Sequence, residues 1–242
     1  MKYINTIAAL GTLSFGATAF ADLGSLTGQD TLRYYESDGQ TATGLADASY
    51  AVLDLYVKFD AANTHGYSNS DTRLLNVLDA NFSASGFSLF NQSDLTVGGS
   101  WKPSFSFDIP GAANSNIDSF VTLGGGVGAL AATNITTPDP NLGAAENADI
   151  FNSNVGWFLN PPTSTQGDVD GDLKVWIGRF VVSGDEARAG AGFAMNGSVG
   201  YNYGEGTGAY FGDMGGDFIF TPAPGAIALM GLAGVVTRRR RA

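Results

Sequence analysis

The chain has no cysteine, a single histidine and, away from its two ends, very few cations. Without thiols there is neither a disulfide framework nor a thiolate metal site, so a domain of this size has to rely on its core. With His65 as the only imidazole, His-rich zinc sites are excluded, and no Gly-x-Ser-x-Gly nucleophile elbow occurs. His65 lies in a polar Asn-Thr-His-Gly-Tyr stretch and reads as an exposed turn residue. No glycine-rich stretch opens a helix with the phosphate-cradling pattern. Setting aside Lys2 and Arg238 to Arg241, seven basic residues face all 23 acidic ones, a net charge of −16. Such a body repels DNA and RNA and has no nucleic-acid partner.

What the chain does have is most distinctive at its end. Pro222-Ala223-Pro224 is followed by an apolar run from Gly225 to Val236 and then by Arg238, Arg239, Arg240 and Arg241. The prolines fix φ and push the residues before them toward extended backbone, so a fold upstream stops here. The apolar run can enter a bilayer, with the arginines held on the cytoplasmic side. It falls short of the roughly 20 residues of a comfortable helical span, which favours a transient membrane stop. Order, spacing and C-terminal placement resemble a PEP-CTERM sorting domain, with Ala223 in place of the usual glutamate, a planctomycete-like variant. The resemblance implies an exosortase-type sorting enzyme as partner, transient contact with the inner membrane, and a C-terminal hydrophobic helix at 222–242. It covers under a tenth of the chain.

The other end carries a second address. Lys2, the apolar stretch Ile4 to Phe20 and the small residues Ala19 and Ala21 have the n-region, h-region and A-x-A cleavage pattern of a signal peptide over 1–21. The mature chain then begins near Asp22, and residues 22–221 form one domain, long enough for a sandwich.

That body is dominated by period two. At 51, 53, 55, 57 and 59 stand Ala, Leu, Leu, Val and Phe, while Asp54, Lys58 and Asp60 occupy the other side, which predicts a half-buried strand. Leu173 to Val182 is apolar on both sides and predicts a central strand. Shorter runs at Leu32 to Glu36, Arg73 to Phe82, Gly86 to Phe90, Asp94 to Val97, Ser104 to Ile109 and Ser119 to Leu123 complete an all-β pattern. From Gly190 to Gly216 glycines interleave with Phe193, Tyr201, Tyr203, Tyr210 and Phe211, predicting two or three strands joined by glycine hairpins. Helix is limited to a turn or two at Ala112 to Phe120 and Asp185 to Ala189. The expected fold is an antiparallel β-sandwich, jelly-roll-like, flanked by a signal helix and the C-terminal hydrophobic helix.

One region, Gly124 to Asp172, breaks the spacing and reads as a long insertion structured only over Asp149 to Leu159. It ends in Asp168-Val169-Asp170-Gly171-Asp172. Carboxylates at alternate positions suit calcium, and Asp168, Asp170 and Asp172 resemble the first three ligands of an EF-hand loop. The pattern then departs from that loop, with glycine at its fourth position and Arg179 at its twelfth. Two readings stand: a calcium site, and a solvated acidic turn leading into the central strand.

The expectation for the whole is an exported cell-surface or extracellular-matrix protein, not an enzyme, with a structural or adhesive body. The alternative is a carbohydrate-binding module that stacks extracellular polysaccharide on Trp101, Trp157 or the tyrosines. A polysaccharide-active enzyme is the remaining option, since two acids from different strands suffice for glycoside hydrolysis.

Overall fold

β-branched and aromatic residues at period two favour pleated backbone, and β3 (Tyr50–Phe59) is its clearest instance. Its inward residues Ala51, Leu53, Leu55, Val57 and Phe59 are all at or below 1% exposure. A computed structural model of the chain describes residues 23–60, 67–84, 87–90, 101, 116–125, 134–139, 142, 154–204 and 206–221. Among these, ten strands form two five-stranded sheets, an all-β sandwich whose strand pairs are all antiparallel.

The first sheet contains β1 (Leu23–Thr27), β2 (Arg33–Tyr35), β3, β5 (Phe120–Val121) and β8 (Lys174–Ser183), with β8 between β3 and β5 as a central strand. The second runs β10 (Tyr210–Ile219), β9 (Gly192–Asn202), β4 (Arg73–Ala84), β7 (Asn154–Leu159), β6 (Thr136–Pro138). The short helix α1 (Gly184–Arg188) follows β8 and starts with a capping box between Ser183 and Glu186. The glycine-rich stretch forms the β9–β10 hairpin. Between the sheets, Phe82, Phe180 and Phe193 pack at 5.1 to 5.9 Å between ring centroids.

Four expectations need correction. Asp54 does not face water: it is 2% exposed, on the covered outer side of the first sheet, opposite Arg179 in the β3–β8 register. Residues 87–90 are not a strand, although the Phe90 N–H donates to the Val181 carbonyl and tethers them to β8. Leu32 to Glu36 is not the first strand, because β1 precedes it. The insertion is ordered beyond Asp149 to Leu159, since β6 extends the second sheet past β7. A buried amide cluster holds them: the Gln166 carboxamide donates to the Leu123 carbonyl and Thr136 Oγ1, and the Trp157 indole donates to the Thr122 carbonyl at 3.0 Å. The runs at 94–97 and 104–109, His65, and both terminal helices lie outside the described residues.

Asp54 is where the first sheet is assembled. β2 pairs with residues 50–52 of β3 and β1 with residues 56–59, leaving Asp54 in the gap. The Thr31 hydroxyl fills it, accepting from the Asp54 N–H at 2.9 Å and donating to the Asp54 carbonyl at 2.8 Å. Gly28 permits this approach, because a Cβ there would meet the Asp54 carbonyl oxygen at 2.4 Å. The Asp54 carboxylate takes Arg179 Nε at 2.7 Å and Nη2 at 3.0 Å, and Arg33 Nη2 at 2.5 Å. The Arg179 guanidinium also lies over the Phe120 and Trp176 rings.

The last strand is closed off by the N-terminal segment. The Gln29 side chain donates to the Ile219 carbonyl at 2.8 Å and accepts from the Ile219 N–H at 3.0 Å, and the Tyr34 hydroxyl donates to the Phe220 carbonyl. Burial pushes the Tyr34 phenol up to about 12.

Removing one partner of a buried pair leaves an uncompensated charge, at about 3–5 kcal/mol. Asp54→Leu is therefore expected to cost about that much in chemical denaturation. Arg179→Met should cost less, because Arg33 still neutralises Asp54. Tyr34 gives a second test. Its neutral form is favoured by the fold, so its contribution is intact below the ordinary phenol value near 10 and is lost as pH rises through about 12. Melting temperature followed from pH 9 to 12 should fall less steeply in Tyr34→Phe.

Candidate functional site

The two sheets differ on their outer faces. On the first, Val52, Asp54, Arg179 and Val181 are each at most 2% exposed. On the second, alternation turns Asn76, Leu78, Asn81 and Ser83 of β4 outward, with Asn154, Gly156 and Phe158 of β7. Ala194, Asn196, Ser198 and Gly200 of β9 and Phe211, Asp213, Gly215 and Asp217 of β10 complete the face. Leu78, Phe158 and Phe211 are 36%, 44% and 59% exposed.

Register sorts these side chains into rows across the strands. Phe158, Asn76, Gly200 and Phe211 stand opposite one another in sequence over four strands. At about 4.8 Å per strand the two phenyl groups are about 14 Å apart. Between them the Asn76 side chain accepts from the Gly200 N–H at 2.8 Å. A Cβ on Gly200 would meet Asn76 Oδ1 at 2.5 Å and push the Asn76 carboxamide aside. A second row is Asn154, Asn81, Asn196 and Gly215, with Asn81 Nδ2 donating to Asn154 Oδ1 at 3.2 Å. At the α1 end of the face, Ser83, Ala194, Asp217 and Ile219 line an open cavity of about 580 Å³. Among the described outward positions the only cation is Arg73, at the far end, engaged by Asp168 and the Thr163 carbonyl. Chemically the face offers amide donors and acceptors on a flat floor between exposed rings.

The residues singled out from sequence lie elsewhere. All three indoles are buried, Trp101 at 0%, Trp157 at 1% and Trp176 at 5%, so none is a stacking platform. Tyr201, Tyr203 and Tyr210 pack against one another at 5.3 to 5.9 Å. Asp168 Oδ1 accepts from Arg73 Nε at 2.5 Å, and Asp170 Oδ1 accepts from the Asp172 and Lys174 N–H groups at 2.9 and 3.1 Å. Asp172 Oδ2 meets Lys174 Nζ at 3.1 Å and holds that ammonium above its ordinary range. These contacts build the turn before β8 rather than gather the three carboxylates. Among the described residues no three His, Cys, Asp or Glu side chains form a group fit for a metal ion. Asp172 also lines, with Ser25, Lys58 and Asp60, a concavity of about 520 Å³. Ala19, Ala21, Pro222, Ala223, Pro224 and Arg238 to Arg241 lie outside the described residues.

Sequence reasoning missed the face itself. Its one legible signal was Phe211, which breaks the inward alternation of the other aromatics in the glycine-rich stretch. Asp170→Ala removes the acceptor of two N–H groups and is expected to lower stability by roughly 1 kcal/mol. The loss should be the same with calcium or with chelator in thermal unfolding, and a loss confined to calcium-loaded protein would select the calcium reading over the acidic turn. Compared with known proteins, the chain matches no family model, no curated protein and no solved structure.

Proposed function

We propose that the chain is an exported cell-surface or extracellular-matrix protein, cut after Ala21 and sorted through Pro222 to Ala242 by an exosortase-type enzyme, with an adhesive body. The observation that carries the adhesive part is the contrast between the two outer faces. A sandwich that serves only as a spacer has no need of a face four strands wide, uncovered among the described residues, with Phe158 and Phe211 standing out of it.

The placement of the tail supports the sorting part. Backbone at Ile219 and Phe220 is bonded to Gln29 and Tyr34 just before Pro222. Tension from a tail held at the envelope is then passed to the first sheet rather than peeling β10 from β9. We read the alternation of β3, β4, β5, β6, β8 and β9 between sheets as jelly-roll-like, and the segments 1–21 and 222–242 as helices while in the membrane. The net charge of −16 between 22 and 221 suits a soluble extracellular body.

Fractionation of producing cells, with mass spectrometry of both termini, tests this. The expected result is an envelope or extracellular form whose N-terminus is Asp22 and whose C-terminus lacks the arginine cluster. A soluble cytoplasmic pool with Met1 and Arg241 intact overturns it.

A further inference from the structure

The adhesive reading leaves open what is held, and the chemistry of the bare face narrows it. Resting on that reading, we propose that the outer face of the second sheet binds a neutral polysaccharide, laid across the strands along the row Phe158, Asn76, Gly200, Phe211. A pyranose ring presents an apolar C–H face and a rim of hydroxyls. The C–H face matches the electron-rich face of a phenyl ring, and the rim matches amides that both donate and accept.

The row supplies both in the right order. Phenyl groups stand at its two ends, about 14 Å apart, over a floor of Asn76 and Gly200 flat enough for a chain to lie between them. The parallel row of Asn154, Asn81 and Asn196 lies four residues along β7 and β9, about 13 Å away, and offers further amides to a second chain laid beside the first. A polyanion is disfavoured by Asp213 beside the row, by Asp217 farther along β10 and by the net charge of the body. A second protein surface fits less well. Asn76, Gly200 and Ser198 separate Phe211 from Phe158 and Leu78, so the apolar groups do not merge into the dry centre of a protein interface.

Affinity electrophoresis of the full chain in mild detergent, through gels containing a neutral β-glucan, a neutral mannan, a carboxylated glucan or an amino-sugar polymer, tests the proposal. Retardation by at least one neutral polymer is expected. Phe158→Ala and Phe211→Ala should each weaken it by roughly tenfold, with unchanged melting, since both rings are exposed. Ser198→Arg, which adds a bulky side chain next to the floor and leaves both phenylalanines in the sequence, should do the same.

The proposal falls if neutral polymers do not retard the chain, if only charged ones do, or if the Phe158→Ala/Phe211→Ala double variant binds undiminished. It also falls if that variant instead abolishes self-association in sedimentation, which would make the face a contact between copies. Failure here with surface delivery intact removes the ligand alone. Binding by a protein that stays in the cytoplasm removes the export reading alone.

Discussion

The carboxylate of Asp54 is the constraint on which the first sheet depends. It lies between the two longest strands of that sheet, opposite Arg179, and its backbone sits where the N-terminal segment passes from β1 to β2. A carboxylate so buried is tolerable only with its partners in place. Those partners reach across the structure: Thr31 from the turn after β1, Arg33 from β2, and Arg179 from β8. The same pairing brings Arg179 under Phe120 and Trp176 and so seals the outer side of the sheet. With that side closed, the only broad surface left to a ligand among the described residues is the outer side of the second sheet.

Alternation of side chains was readable wherever one face is uniformly apolar. Residues 51, 53, 55, 57 and 59 face inward as the period requires, and Leu173 to Val182 is central because both its sides are apolar. Alternation names a face but not what covers it, which is why Asp54 read as a solvent-facing residue. β6 was hidden because Thr136–Pro138 carries a proline, tolerated there on a sheet edge. The tryptophans, stacking platforms only in the alternative carbohydrate-binding reading, are core residues for a related reason. An indole in a polar stretch looks available, yet Trp157 satisfies its N–H inside the core through the Thr122 carbonyl, which no local pattern announces.

The exposed face of the second sheet was illegible for a deeper reason: it is made by register, and register here is set by irregularities. β4 carries one extra residue relative to β9 between Leu74 and Asn76, and another between Leu78 and Asn81. Relative to β7 the second bulge recurs between Val77 and Ala80. Asp79, with φ of 50°, absorbs the turn of backbone there. Between the two bulges the even-numbered residues Asn76 and Leu78 face out; on either side of them the odd-numbered Arg73, Asn81 and Ser83 do. A sequence period carried from Leu74 without a break would put Asn76 and Leu78 inside and Val77 in water.

The core pays for that break and thereby locks the site. Phe82 is fully buried between Phe180 and Phe193, so losing the second bulge alone would expel an aromatic ring from the centre of the sandwich. The amide row of Asn154, Asn81 and Asn196 is thus aligned by interior packing on the opposite side of the same strand. Gly200 contributes from the neighbouring strand, since any side chain there would displace Asn76 and raise the floor between the two phenyl groups. A surface that has to lie flat against an extended partner needs this kind of support from behind, because amides on loops would have to be ordered at the moment of binding. The face is therefore preorganised by the same aromatic core that holds the sheets together.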